Sequence, residues 1–251
     1  CISEHVANFM DPQQGHALMT AVHALENAGI ENKDLERKVD SNGSDMEPHF
    51  PLSKDARKIG VFMSASDNTY GPAIAKHGGE KIDPYHLSLL NEKDFITTRI
   101  AYHLNLSGPA ITAQTACSSS LVAIHQACQQ IQLGDCGIAL AGGVNADLAT
   151  LDGYPFRKGM ILSEDGHCKP FSNQASGTVP ANGIGVVVLK RLDLAKQDGD
   201  RIYCVVKGSA VNNDGGNKVS FYAPSVHGQR DVIVQAQRNA QIFSEQVQYV
   251  E

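Results

Sequence analysis

A chain of 251 residues, with 42% hydrophobic and 19% charged side chains, has an ordinary globular composition and material for one large domain or two small ones. Its formal charge of −6 argues against a nucleic-acid backbone or an anionic membrane as the main partner. No apolar run approaches the length of a membrane span, and no signal peptide is visible.

Residues 12–28 read as a helix. Asp11 suits the N-cap, Pro12 the first turn and Gly29 the stop, while Leu18, Val22 and Leu25 mark one apolar face. Residues 31–57 are polar and charged, carry Asn42-Gly43-Ser44 and two prolines, and read as a surface insertion. Residues 59–65 read as a buried strand. Residues 66–90 look irregular, with Gly71-Pro72, Gly78-Gly79 and Asp83-Pro84 as breakers, and residues 95–104 look helical.

A short apolar run at 110–113 leads into Thr115-Ala116-Cys117-Ser118-Ser119-Ser120-Leu121. A helix is predicted from about 119 to 133, where Leu121, Ile124, Cys128 and Ile131 share a face and Gly134 closes the end. Residues 137–144, 183–189 and 202–211 read as further buried strands, with a short helix and turn at 193–199. Residues 226–240 read as a helix and 247–250 as a strand. Continuous apolar strands alternating with amphipathic helices predict an α/β protein with its sheet covered on both faces.

The six cysteines, Cys1, Cys117, Cys128, Cys136, Cys168 and Cys204, are widely spaced. They read as reduced thiols of a cytoplasmic protein, and none forms the C-x-x-C pair of a zinc or redox site. Cys117 stands apart because the pattern puts it at a strand-to-helix turn. Free backbone N–H groups and partial positive charge collect at a helix start and favour the thiolate, the nucleophilic form. The small neighbours Ala116, Ser118, Ser119 and Ser120 leave room for a substrate, and the serines offer an N-cap and first-turn hydroxyls. A cysteine is also commonly a small buried hydrophobe. Residue types and spacing leave both readings open.

The run Thr115-Ala116-Cys117-Ser118-Ser119-Ser120-Leu121-Val122-Ala123 resembles the active-site motif of β-ketoacyl synthases, above all the ketosynthase domains of modular polyketide synthases. The likeness extends along nearly the whole chain. Met10-Asp11-Pro12-Gln13-Gln14 resembles the helix-opening motif, and Gly60-Val61-Phe62 the strand that follows. Leu104-Asn105-Leu106-Ser107-Gly108-Pro109 resembles the lead into the nucleophile strand. Further matches are Ala141-Gly142-Gly143-Val144-Asn145, Leu162-Ser163-Glu164-Asp165-Gly166-His167-Cys168-Lys169-Pro170-Phe171, residues 185–192 and Ser209-Ala210-Val211-Asn212-Asn213-Asp214-Gly215. Ala223-Pro224-Ser225-Val226 with Gly228-Gln229 looks like the subgroup of hybrid peptide–polyketide assembly lines.

The resemblance implies a thiolase-like layered αβαβα fold, with residues 1–251 forming part of a single domain. It implies an acyltransferase performing decarboxylative Claisen condensation in polyketide or fatty-acid-like biosynthesis, with Cys117 as the acyl acceptor. Acyl and malonyl thioesters would arrive on the phosphopantetheine of an acyl carrier protein. No bound cofactor or metal is implied, and the full-length protein would be a homodimer. The alternative within the family is a non-condensing domain that binds or docks acyl chains. An unrelated cysteine hydrolase would need a His-Asn or His-Asp partner motif, and none is found.

The pattern departs from the family in ways that bear on chemistry. A His-Gly-Thr-Gly-Thr motif typically follows Tyr-Val-Glu-Ala, and this sequence stops at Tyr249-Val250-Glu251. A second family histidine and a glycine-rich strand lie further on. The first strand of the fold is also missing, so the stretch reads as the central part of a domain, able to be acylated but not to condense. Gly15, Gln114 and Asn182 replace the usual arginine, aspartate and glutamate. Among the ten histidines, His125 is predicted to point to solvent or an interface, His103 to be structural, and His167 to lie in a loop near the site. His16 and His23 are not a metal pair, and Asn212-Asn213-Asp214-Gly215 reads as a tight turn.

Overall fold

The computed structural model describes residues 2–30, 58–77, 82–147 and 153–251. The predicted insertion at 31–57 lies outside the described residues. Helix α1 (Glu4–Phe9) opens with the Ser3 hydroxyl accepting the Val6 N–H at 3.3 Å. Helix α2 (Pro12–Asn27) opens on Asp11, whose carboxylate accepts the Gln13 N–H at 2.9 Å, as an N-cap should.

Four strands form one sheet in the order β2-β1-β3-β4: β1 (Ile59–Ala65), β2 (Ala110–Thr112), β3 (Ile138–Asn145) and β4 (Gly183–Lys190). The first three in space run parallel, with Val61 opposite Ala110 and Leu140, while β4 is antiparallel to β3. β1 is central and buried along its whole length. Its alternation separates two cores. Ile59, Val61 and Met63 enter one with Ala17, Ala21 and Leu25 of α2 and with Ile96, Ile100 and Leu104 of helix α5 (Ile96–Leu104). Phe62 enters the other, beside Ala123, Ala127 and Ile131 of helix α6 (Ser119–Leu133). Small alanines on α6 let it lie close to the sheet, so Phe62 is fully buried, worth roughly 2–3 kcal/mol of transfer free energy.

The stretch 66–90, expected to be irregular, contains helices α3 (Tyr70–His77) and α4 (Pro84–Asn91). Its supposed breakers sit where helices tolerate them. Pro84 follows the cap Asp83, whose carboxylate accepts the His86 N–H at 3.0 Å, and Gly71-Pro72 falls in the first turn of α3, before any intrahelical N–H is required. Helices α7 (Leu192–Asp198) and α8 (Val226–Ala240) match their predicted positions, and α6 and α7 end on left-handed Gly134 and Gly199.

Two predicted strands are not strands. Residues 202–211 and 247–250 pair with no neighbour, and Tyr203, Val205, Val206 and Tyr249 are exposed. An apolar run becomes a strand only through its ladder partners, and neither segment has one among the described residues. The 202–211 segment instead packs on α8. Gly208 lies so close that a Cβ there would come within 2.5 Å of the Ala240 nitrogen, and the Asn239 amide donates to the Ser209 carbonyl at 2.9 Å. Strand β4 is partly covered on both faces: Val186 and Val188 join the α2/α5 core and Leu189 packs on the α6 core, while Ile184 and Val187, toward its start, stay exposed.

Candidate active site

The site starts with the short strand β2, held to β1 by the Val61 N–H on the Pro109 carbonyl (2.8 Å) and the Ala113 N–H on the Met63 carbonyl (2.9 Å). Beyond it the chain turns sharply. Ala116 adopts φ +56°, the left-handed region that costs a residue with a Cβ on the order of 1 kcal/mol or more. Three hydrogen bonds hold that conformation. The Thr115 N–H donates to the Ser119 hydroxyl at 2.8 Å, the Ser119 hydroxyl donates to the Ala116 carbonyl at 2.7 Å, and the Ser118 hydroxyl turns back to the Thr115 carbonyl at 2.9 Å. A 3₁₀ turn (Ala116–Ser118) then runs straight into α6. The middle residue of that turn is Cys117, exposed and at a helix start, as the sequence pattern predicts.

The serines do not act as expected. Ser118 occupies the N-cap position without bonding a helix N–H, because its hydroxyl is spent on Thr115. Ser119 is the buried brace of the turn. Ser119→Ala should therefore remove two hydrogen bonds and orphan the Thr115 N–H. We expect about 1–2 kcal/mol less stability in urea unfolding and an altered alkylation rate of the Cys117 thiol, whose turn loses its brace. Unchanged values of both would assign the brace elsewhere.

Cys117 opens onto a cleft of about 1000 Å³ at the carboxyl ends of β1 and β3, also lined by β4. Two glycines make this arrangement possible. A Cβ on Gly143 would come within 2.5 Å of the Ser64 hydroxyl and 3.0 Å of the Ser120 Cβ, so only glycine lets the start of α6 sit down on the sheet. A Cβ on Gly142 would overlap the Gly185 carbonyl oxygen of β4. Two charged side chains line the cleft among the described residues, Asp67 and Lys93, paired at 2.8 Å. The hydrogen bond and charge of Lys93 hold the Asp67 carboxyl below its usual range.

The cleft wall is braced from α2. The Gln13 side-chain oxygen accepts both the Ser66 N–H (3.1 Å) and its hydroxyl (2.7 Å), and the Gln13 amide donates to Asp11 at 3.1 Å. Burial raises the Asp11 pKa although both Gln13 bonds oppose it. Gln14 donates to the Glu92 carbonyl at 3.1 Å and accepts from Arg99. The sequence pattern marks Asp11-Pro12-Gln13-Gln14 only as a helix opening. Two buried amides directly after a cap are the signal that they reach across to something.

No histidine lines the cleft among the described residues. His125, expected at solvent or an interface, is half-buried, with Nδ1 2.8 Å from the Ser209 hydroxyl, tying α6 to the 202–211 segment. His103 has its pKa lowered by burial, then by nearby Arg99, in keeping with a structural place. His167 is exposed on its own loop, with Nδ1 2.8 Å from the Asp165 carbonyl oxygen. That loop folds around fully buried Ser163, whose hydroxyl reaches Asp165 (3.0 Å), the His167 carbonyl (2.9 Å) and Ser176 (3.1 Å).

Asp165 also pairs with Lys169, and that bond, then the Ser163 hydroxyl, draws its pKa from 3.8 down to about 2. A carboxyl depressed on folding stabilises the folded loop above its unfolded pKa and loses that contribution as pH falls through the folded value. The loop should therefore persist through mild acid and loosen as pH falls through about 2. A side-chain carbonyl NMR titration of Asp165 checks this; a midpoint at an ordinary 3.8 would contradict the pairing.

The other cysteines differ from Cys117. Burial raises the thiol pKa of Cys128 and Cys136. Cys168 and Cys204 are exposed, and Cys168 accepts the Val179 N–H at 3.3 Å. All five described cysteines are free thiols. Among the described residues no helix is long and apolar enough to cross a membrane. Gly215, at φ +60°, closes the predicted turn with its N–H on the Asn213 side chain at 2.7 Å.

A mixed sheet of three parallel strands and one antiparallel strand between helices, with a thiol at the strand-to-helix turn, matches known proteins over its full extent. The description "Beta-ketoacyl synthase, N-terminal domain" matches residues 1–195, and "Beta-ketoacyl synthase, C-terminal domain" matches residues 203–251. The chain belongs to the β-ketoacyl synthase family, a family of acyltransferases with the α/β, thiolase-like ketosynthase fold. Its similarity runs specifically to the ketosynthase domains of modular and hybrid polyketide synthases. It is 41% identical over 245 residues to a phenolphthiocerol/phthiocerol polyketide synthase of Mycobacterium tuberculosis, covering 98% of this chain and 16% of that protein. It is 37% identical over 254 residues to the hybrid PKS-NRPS synthetase TAS1 of Cordyceps militaris, covering 100% of this chain and 15% of that protein. The chain thus spans a small part of the length of either relative. Among solved structures, ketosynthase twelve of the bacillaene polyketide synthase from Bacillus amyloliquefaciens superimposes with a TM-score of 0.82 at 36% identity, covering 100% of this chain and 40% of that one.

Proposed function

We propose that Cys117 is the acyl acceptor of a ketosynthase. Its sulfur attacks the carbonyl carbon of an acyl thioester carried on the phosphopantetheine of an acyl carrier protein. The carbon–sulfur bond to the arm breaks, the arm leaves as a thiol, and the acyl group stays on Cys117. The Cys117 backbone N–H is a donor available to the oxyanion of the tetrahedral intermediate. Carbon–carbon bond formation would follow when a malonyl thioester loses carbon dioxide and its carbanion attacks the Cys117 thioester, which frees the cysteine. That half-reaction needs donors to hold the malonyl carbonyl. No histidine shares the cleft among the described residues, so these 251 residues by themselves are expected to load and not to condense. We further propose that the whole protein works as a homodimer with an acyl carrier protein as partner.

The observation that carries the reading is one exposed thiol on a strained, hydrogen-bonded turn at the head of α6, facing an open cleft. The test is site mapping. After incubation with a hexanoyl N-acetylcysteamine thioester, peptide mass spectrometry should find the acyl group on Cys117 and not on Cys168 or Cys204, which are also exposed. An even distribution over the three would refute the assignment.

A further inference from the structure

The charged pair in the cleft is preset. Asp67 follows Ser66, whose N–H and hydroxyl are held by Gln13, and Lys93 follows Glu92, whose carbonyl is held by Gln14. Both members therefore stand on backbone anchored to the first turn of α2. They pair at 2.8 Å, with the Lys93 side chain 34% and the Asp67 side chain 93% exposed, so their remaining hydrogen-bonding capacity faces open space. The rest of the lining is mostly small or apolar: glycines, alanines and serines with Ile124, Val144, Val186 and Val187.

An acyl group on Cys117 enters this same cleft. A saturated chain beside the pair would strip water from two charges and return no hydrogen bond, which is unfavourable. A chain bearing a hydroxyl offers what the pair lacks. The carboxylate accepts the O–H, and the ammonium donates to the oxygen. We propose that Asp67 and Lys93 set acyl specificity, selecting thioesters with a hydroxylated chain over saturated chains of the same length. This inference rests on the acyl-acceptor reading of Cys117.

The test compares Cys117 acylation by hexanoyl, 3-hydroxyhexanoyl and 5-hydroxyhexanoyl N-acetylcysteamine thioesters, followed by intact mass, in the 251-residue chain and in the Asp67→Leu/Lys93→Met double variant. In each reaction the cysteine sulfur takes the acyl group and N-acetylcysteamine leaves as the thiol. At least one hydroxylated chain should load about tenfold faster than hexanoyl, the value of one hydrogen bond to a charged group, and the double variant should lose that preference. The swapped variant Asp67→Lys/Lys93→Asp, which keeps a charged pair, should retain it. Equal rates in the natural chain would overturn the proposal, as would a preference that survives in the double variant. No loading by any thioester would refute Cys117 as acceptor, and this inference with it.

Discussion

Cys117→Ala should abolish the acyl loading proposed above, lowering it by a factor on the order of 10⁴ or more. The size of the effect follows from what the sulfur does. On the proposed mechanism it forms and then breaks a covalent bond in each cycle, and among the described residues no other thiol stands in the cleft to take its place. Cys168 and Cys204 are exposed, but neither lines the cleft. Cys128 and Cys136 have thiol pKa values raised by burial. The variant should fold normally, since Cys117 is exposed and the bonds that hold its turn come from Thr115, Ser118 and Ser119. Radiolabelled acyl transfer with unfolding curves for both proteins separates chemistry from stability. Acyl transfer that survives in the variant would mean the proposed acceptor role is wrong.

Gly142→Ala should be the most damaging small change to the fold. The added methyl overlaps the Gly185 carbonyl oxygen, and that oxygen belongs to β4 in the ladder that pairs Gly142 with Val186 and Gly143 with Gly185. Neither backbone can retreat without breaking hydrogen bonds between the strands. A loss of about 3 kcal/mol is expected, a large part of a typical domain's 5–15 kcal/mol, roughly. Gly183→Ala is the control. It lies on the same sheet, nothing would meet its Cβ within 4 Å, and a strand glycine replaced by alanine costs little or gains slightly. Urea midpoints for the two variants should therefore diverge; equal midpoints would show that the ladder yields.

Much of this arrangement is legible in the sequence because it rests on local rules. The cap at Asp11 and the stops at Gly134 and Gly199 are local signals, and all appear in the structure; the apolar face predicted for α6 does not, because Leu121 is exposed and Ala123 and Ala127, with Ile131, pack on the sheet instead. The thiol at the head of α6 follows from the same rules. What is not legible depends on partners distant in sequence. Residues 202–211 have the composition of a strand, but composition says nothing about a neighbour to pair with. Val186 and Val187 are equivalent in sequence, yet one faces a core and the other faces out. The brace between Gln13 and Ser66 spans 53 positions, so no short window reveals it. A polar residue on a helix usually faces outward, which is the expectation for His125; Ser209, 84 positions on, accounts for its place.

Gln13 and Gln14 have a consequence for the whole chain. They reach the two banks of the cleft from a helix whose body lies on the opposite side of the sheet from α6. The width of the cleft is thus governed from behind, and a repacking at Ala17 or Ala21, out of sight of the sulfur, would be felt as a wider or narrower opening in front of it.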